Sequence, residues 1–169
     1  LGVTSFVLVK RKKSKFKVLL LGGLDNRSGD LSIQEQADLL KKGLGDKNKV
    51  EAFRYFDIDG INKAIKTDKN VKIVLFSAGC QYSSSIAIEM KKFKINLNRL
   101  YIVEPYAPSI ATKQSVQQAV NEGVPSTNVM VGKSANVGQG IVENTTPTPP
   151  CNPYHWCALQ MVGKLIVAK

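Results

Sequence analysis

A chain of 169 residues, 43% hydrophobic and 22% charged, is one domain's worth of sequence, apolar enough to close a core without staples. That content excludes a disordered basic tail, and apolar runs of four to six residues fall far short of the ~20 that a membrane-spanning helix needs. The 24 Lys and Arg against 13 Asp and Glu give +11 at pH 7, the signature of a basic globular domain, read here as a single unit spanning 1–169.

In chain order, Thr4 to Lys10 reads as a strand leading into a basic turn, so that residues 1–17 form an N-terminal strand and turn. Residues Leu1 to Val9 have no basic region before them and no small-residue cleavage site after them, which fits a strand and not a signal peptide. Lys10, Arg11, Lys12, Lys13, Lys15 and Lys17 put six positive charges into eight residues, about half of the net excess. Such a run either docks on an anionic surface (phosphate, anionic lipid or acidic wall polymer) or is a solvated turn. With Phe16 as its only aromatic, it lacks the interleaving of a nucleic-acid platform.

Phe16 to Leu21 is a continuous apolar strand that stops at Gly22-Gly23. Ser32 and Glu35 form a capping-box pattern for a helix with Ile33, Ala37, Leu40 and Leu44 on one face, ending near Gly43 or Gly45. Val50 to Phe56 is the next strand, and Asp57 caps a helix that turns Ile58, Ile61 and Ile65 inward. Val71 to Phe76 is the most buried-looking strand. It turns sharply at Ser77-Ala78-Gly79 into a helix bearing Tyr82, Ile86, Met90 and Phe93. Leu100 to Val103 is a strand ending at Glu104-Pro105, residues 112–122 form a helix closed by Gly123, and Asn128 to Val131 is the final strand. Residues 138–154 form a Pro/Thr-rich loop leading to the lone histidine, His155, near which a last helix begins. Strands alternating with helices of this length predict an α/β fold, a three-layer sandwich around a mostly parallel sheet. In such sheets reactive groups gather at the carboxyl ends of the strands.

That rule directs attention to Val74-Leu75-Phe76-Ser77-Ala78-Gly79-Cys80. A serine on so tight a strand-to-helix turn is lifted above the sheet, and its small neighbours let helix and strand approach. The Ala78 amide, at a helix start, is placed to face an oxyanion. These residues resemble the nucleophile elbow, G-x-S-x-G, of the α/β-hydrolase superfamily, particularly its small, lidless lipases and esterases. Leu75 stands where the family has its first glycine, and that bulk is expected to crowd the following helix.

Three further features occur in the family's order. The run VLLLGG followed by Leu24 resembles the oxyanion loop, with Gly22 in place of its usual histidine, Gly23 matching its glycine and the Leu24 amide as second donor. Glu104 ends a strand where some lipases carry the catalytic acid. His155, the one histidine, precedes the terminal helix where the family keeps its base. The resemblance covers roughly residues 16–169 and implies a Ser77, His155 and Glu104 triad with Ala78 and Leu24 as oxyanion donors, no metal and no cofactor. Many members carry the acid after the next strand instead. Here that loop offers only Asn136, which can orient a histidine without offsetting its charge, with Glu143 further on.

The implied activity is hydrolysis of a carboxylic ester, small or borne by lipid or cell wall, in an exposed site without a cap, and a secreted or cell-envelope setting ahead of a cytoplasmic one. Two other readings stay open at this point. A catalytically inactive hydrolase-fold module, binding or structural within a larger assembly, is favoured by Leu75 and the missing acid. A flavodoxin-like phosphate binder would use Gly22-Gly23 with Ser28 and Gly29, but it lacks a phosphate fingerprint. Cys151, His155 and Cys157 could join Cys80 around zinc; a Cys151–Cys157 disulfide clamping the histidine loop, or buried free thiols, are the alternatives.

Overall fold

The computed structural model describes residues 15–105, 110–132, 144–148 and 157–168. Six strands form one all-parallel sheet: β1 (Lys17–Leu21), β2 (Lys49–Phe53), β3 (Val71–Phe76), β4 (Leu100–Val103), β5 (Val129–Val131) and β6 (Thr146–Pro147), in the order β2-β1-β3-β4-β5-β6. Five helices flank it: α1 (Ile33–Leu44), α2 (Ile58–Thr67), α3 (Ser83–Lys92), α4 (Ile110–Glu122) and α5 (Cys157–Ala168).

The continuous apolar strands are buried on both faces, and alternate side chains serve separate cores. Leu19, Leu21, Ile73, Leu75 and Ile102 join Ile61 and Ile65 of α2, Ile86 and Met90 of α3 and Val116 of α4. Val18, Leu20, Val74, Phe76 and Val103 join Leu40 of α1 and Leu159, Val162 and Ile166 of α5. The result is the expected three-layer α/β sandwich, with two helices on one face and three on the other.

Local signals act where the sequence places them. The Ser32 hydroxyl accepts from the Glu35 amide and the Glu35 carboxylate accepts from the Ser32 amide, while Asp57 caps α2 by accepting from the Gly60 amide. Other elements differ from expectation. β2 ends at Phe53, three residues early, because β1, the strand it pairs with, ends at Leu21, the residue in register with Phe53; Arg54, just beyond, pairs with Asp25 in the loop after β1. The strand at 129–131 is not the last: Thr146-Pro147, inside the predicted loop of 138–154, pairs in parallel with β5. A proline is tolerated there because β6 is a two-residue edge strand. The predicted strand at Thr4 to Lys10 and the basic turn up to residue 14 lie outside the described residues.

Helices α1 and α5 cross at Gly43 and Gly163, close enough that a methyl group at Gly163 would sit 2.6 Å from the Leu40 carbonyl oxygen and 2.9 Å from Gly43 Cα. Backbone atoms cannot step aside as a side chain can. Gly163→Ala is therefore expected to cost about 1–3 kcal/mol, as overpacking typically does. In a thermal melt followed by circular dichroism that is a fall of roughly 2–12 °C in Tm. An unchanged Tm would mean that the two helices cross with more room than this geometry gives.

Candidate active site

The chain runs from β1 outward to β2 and then returns to β3 on the other side of β1. The carboxyl ends of β1 and β3 thus flank the switch point where an open α/β sheet leaves a crevice. A cleft of about 320 Å³, counting its open mouth, lies there, lined by Gly23 and Leu24 after β1, Phe76 and Ser77 at the end of β3, and Arg27, Asp30, Leu31 and Gln36.

Ser77 follows β3 directly and has φ of 52°, a left-handed conformation that side-chain-bearing residues seldom adopt. It is partly exposed, and its Cβ lies close enough to Gly23 that a methyl group there would stand 3.0 Å away. Ser77 and Gly23 therefore face each other at the crevice. The chain then makes a 3₁₀ turn over Ser77–Tyr82 before α3. This extra turn accounts for Leu75: its side chain is fully buried in the cluster with Ile86 and Met90, and α3 begins only at Ser83. Gly79 lies against β1, where a methyl group would meet the Leu21 carbonyl oxygen at 2.5 Å and that of Gly22 at 2.9 Å. Ala78 is at the start of the turn, where amides have no partner within the helix.

Glu104 sits one residue beyond Val103, which pairs in register with Phe76, so Ser77 and Glu104 cap adjacent strands. Glu104 also has a positive φ, 49°, and is 3% exposed. Its amide donates to the Met130 carbonyl at 2.8 Å, and its Oε1 accepts from the Thr148 hydroxyl. Its Oε2 is buried and has no hydrogen-bond partner among the described residues. A buried carboxylate oxygen left unpaired is costly, and it marks a place where a donor is wanted.

The loop from Gly23 to Leu31 is held by charge and by one buried amide. Arg54 donates twice to Asp25, from Nε at 2.7 Å and Nη2 at 2.9 Å. Arg27 donates to Asp30 from its backbone amide, Nε and Nη2, and the guanidinium holds the Asp30 carboxyl below its ordinary range. Gln36, 1% exposed, bonds to Gly23 and to Leu31.

The structure thus brings Ser77 and Leu24 to one crevice and Glu104 to the neighbouring strand end, while Ala78, next to Ser77 in the turn, is buried and does not line the crevice. His155, Asn136, Glu143 and Cys151 lie outside the described residues. Cys157 is disulfide-bonded, which leaves it no thiolate for the zinc arrangement. Cys80 is a free, fully buried thiol that donates to the Leu75 and Val103 carbonyls; burial pushes its pKa up, away from nucleophilic use. Two contributors were not found from the sequence. Gln36 had a signal, a polar side chain on the apolar face of α1 beside Ile33, Ala37 and Leu40. Thr148 had none, because nothing in the Pro/Thr-rich run distinguishes the threonine that reaches Glu104.

Comparison of the chain with protein-family models, with curated proteins and with solved structures finds no match. What stands is the fold, a six-stranded all-parallel α/β sandwich, and the geometry of its crevice. No helix among the described residues is long and apolar enough to cross a membrane.

Proposed function

We propose that this chain is a serine hydrolase of α/β-hydrolase type that cleaves a carboxylic ester. The observation that carries the reading is Ser77, held at positive φ at the end of β3 against the oxyanion-loop glycine and opening on the cleft. Strain of this kind persists only where the surrounding structure enforces it, and it gathers at active sites. Ser77 Oγ attacks the ester carbonyl while His155 takes its proton, and the amides of Leu24 and Ala78 receive the developing oxyanion. His155 returns the proton to the departing alkoxide, and water then attacks the acyl-enzyme by the same route in reverse. Glu104 orients the histidine; its unpaired, buried Oε2 supports that role over Asn136 or Glu143.

The cleft favours short acyl groups over long ones. It is shallow, much of its volume being open mouth, and the Arg27–Asp30 pair and Gln36 make one wall polar, which gives a long acyl chain little apolar surface to lie against. The basic run serves a different purpose. Lys15 and Lys17 lead into β1 at the amino edge of the sheet, where Lys17 is in register with Lys49, at the end opposite the cleft. Docking on an anionic surface through that edge would leave the crevice facing away from it.

The test is a series of p-nitrophenyl esters. The acetate should be hydrolysed with kcat/KM at least about tenfold above that of the palmitate. If neither ester turns over faster than in Ser77→Ala, the reading is wrong.

A further inference from the structure

We infer that Gln36 is the positioning residue of the oxyanion hole, an inference that rests on the serine-hydrolase reading. Its side-chain amide clamps both sides of Gly23: Oε1 accepts from the Gly23 amide at 2.8 Å, and Nε2 donates to the Gly23 carbonyl at 3.3 Å and to the Leu31 carbonyl at 3.1 Å. One donor and two acceptors around it leave a single way for the amide to sit, since the flipped form would oppose two N–H groups and face oxygen to oxygen.

The consequence reaches the next residue. The Gly23 carbonyl and the Leu24 N–H belong to one planar trans peptide, in which oxygen and hydrogen point in opposite directions. Drawing the carbonyl toward Gln36 turns the Leu24 N–H away from α1. The Gly23 N–H, already given to Gln36, is not available to an oxyanion, so Leu24 is the donor that this loop offers. Gln36 acts without touching substrate, by fixing a dipole before the charge it must meet has formed.

The apolar variant Gln36→Leu removes the clamp and keeps the bulk. With p-nitrophenyl acetate it should lose about 10²-fold in kcat, the effect of losing one oxyanion donor, with KM changed by less than about threefold. Amide hydrogen exchange at Gly23, slow in the wild type, should accelerate in the variant, whether or not the chain is an enzyme. Gln36→Glu adds a readout that a merely structural role would not move. An ionised glutamate repels both carbonyls, whereas its protonated form can donate to one and accept from the Gly23 amide. Its kcat relative to wild type should therefore rise as pH falls through the titration of the buried carboxyl.

Should Gln36→Leu fail to fold, this pH-dependent ratio decides. A flat ratio, or a Gln36→Leu variant retaining kcat within about threefold while Ser77→Ala is inert, overturns the positioning role alone. A wild type with no turnover but a protected Gly23 amide overturns the hydrolase reading, and Gln36 is then only a brace for the loop.

Discussion

Ser77→Gly is expected to abolish ester hydrolysis and to make the protein more stable. Serine at φ of 52° bears a steric cost of about 1–2 kcal/mol that glycine does not. Glycine returns part of this through its freer unfolded chain, about 0.5–1 kcal/mol, so the net gain is close to 1 kcal/mol, or roughly 2–4 °C in Tm. Turnover should fall to the level left when a triad nucleophile is removed, a loss of about 10⁶-fold in kcat. Ser77→Ala separates the two effects, because alanine keeps the strained backbone. It should lose the same activity without the gain in Tm. Opposite signs for stability and activity at one position are expected of a nucleophile held by strain. A serine that merely fills a βα turn would raise stability on replacement and leave hydrolysis untouched.

The second large effect is expected at Gly79. A methyl group there meets the Leu21 carbonyl oxygen at 2.5 Å and the Leu21 carbonyl carbon at 3.0 Å, both backbone atoms at the carboxyl end of β1, where Val18 to Leu21 are fully buried. Either the 3₁₀ turn lifts away from β1 or β1 is pushed toward α1, and both movements pull Ser77 and the Leu24 amide apart. Gly79→Ala should cost about 2–3 kcal/mol, near the upper range for overpacking, which is roughly 4–12 °C in Tm. It should also reduce kcat by at least about 10²-fold, since a displacement of 1 Å at a catalytic site has that effect. Full activity with an unchanged melt would show that the turn and the strand are not in the contact that the site requires.

Most of the fold was legible because its signals are local. The apolar runs at 17–21 and 71–76, the Ser32 and Glu35 box and the Asp57 cap each act within a few residues, and the alternation of strands and helices dictates the parallel sheet. Ser77 was legible for the same reason, as a small residue at a tight turn. What escaped depends on distant partners. β6 is two residues long and exists because β5 offers it an edge, and β2 stops where its partner β1 runs out, at Leu21. Gln36 is a polar residue on the apolar face of α1, and the reason for it is Gly23, thirteen residues back in the chain. The charge of +11 proved informative about position only: of the basic run, Lys15 and Lys17 are among the described residues, and they mark the amino edge of the sheet, opposite the crevice that Asp30 helps to line.

Everything proposed for this site depends on Ser77 being an activated nucleophile. Incubation of the full chain with a fluorophosphonate probe, followed by proteolysis and mass mapping, tests it directly. One stoichiometric adduct is expected, on the peptide containing Ser77, absent from Ser77→Ala and from His155→Ala. No adduct on the folded wild-type protein, or an adduct at another serine that survives Ser77→Ala, would contradict it.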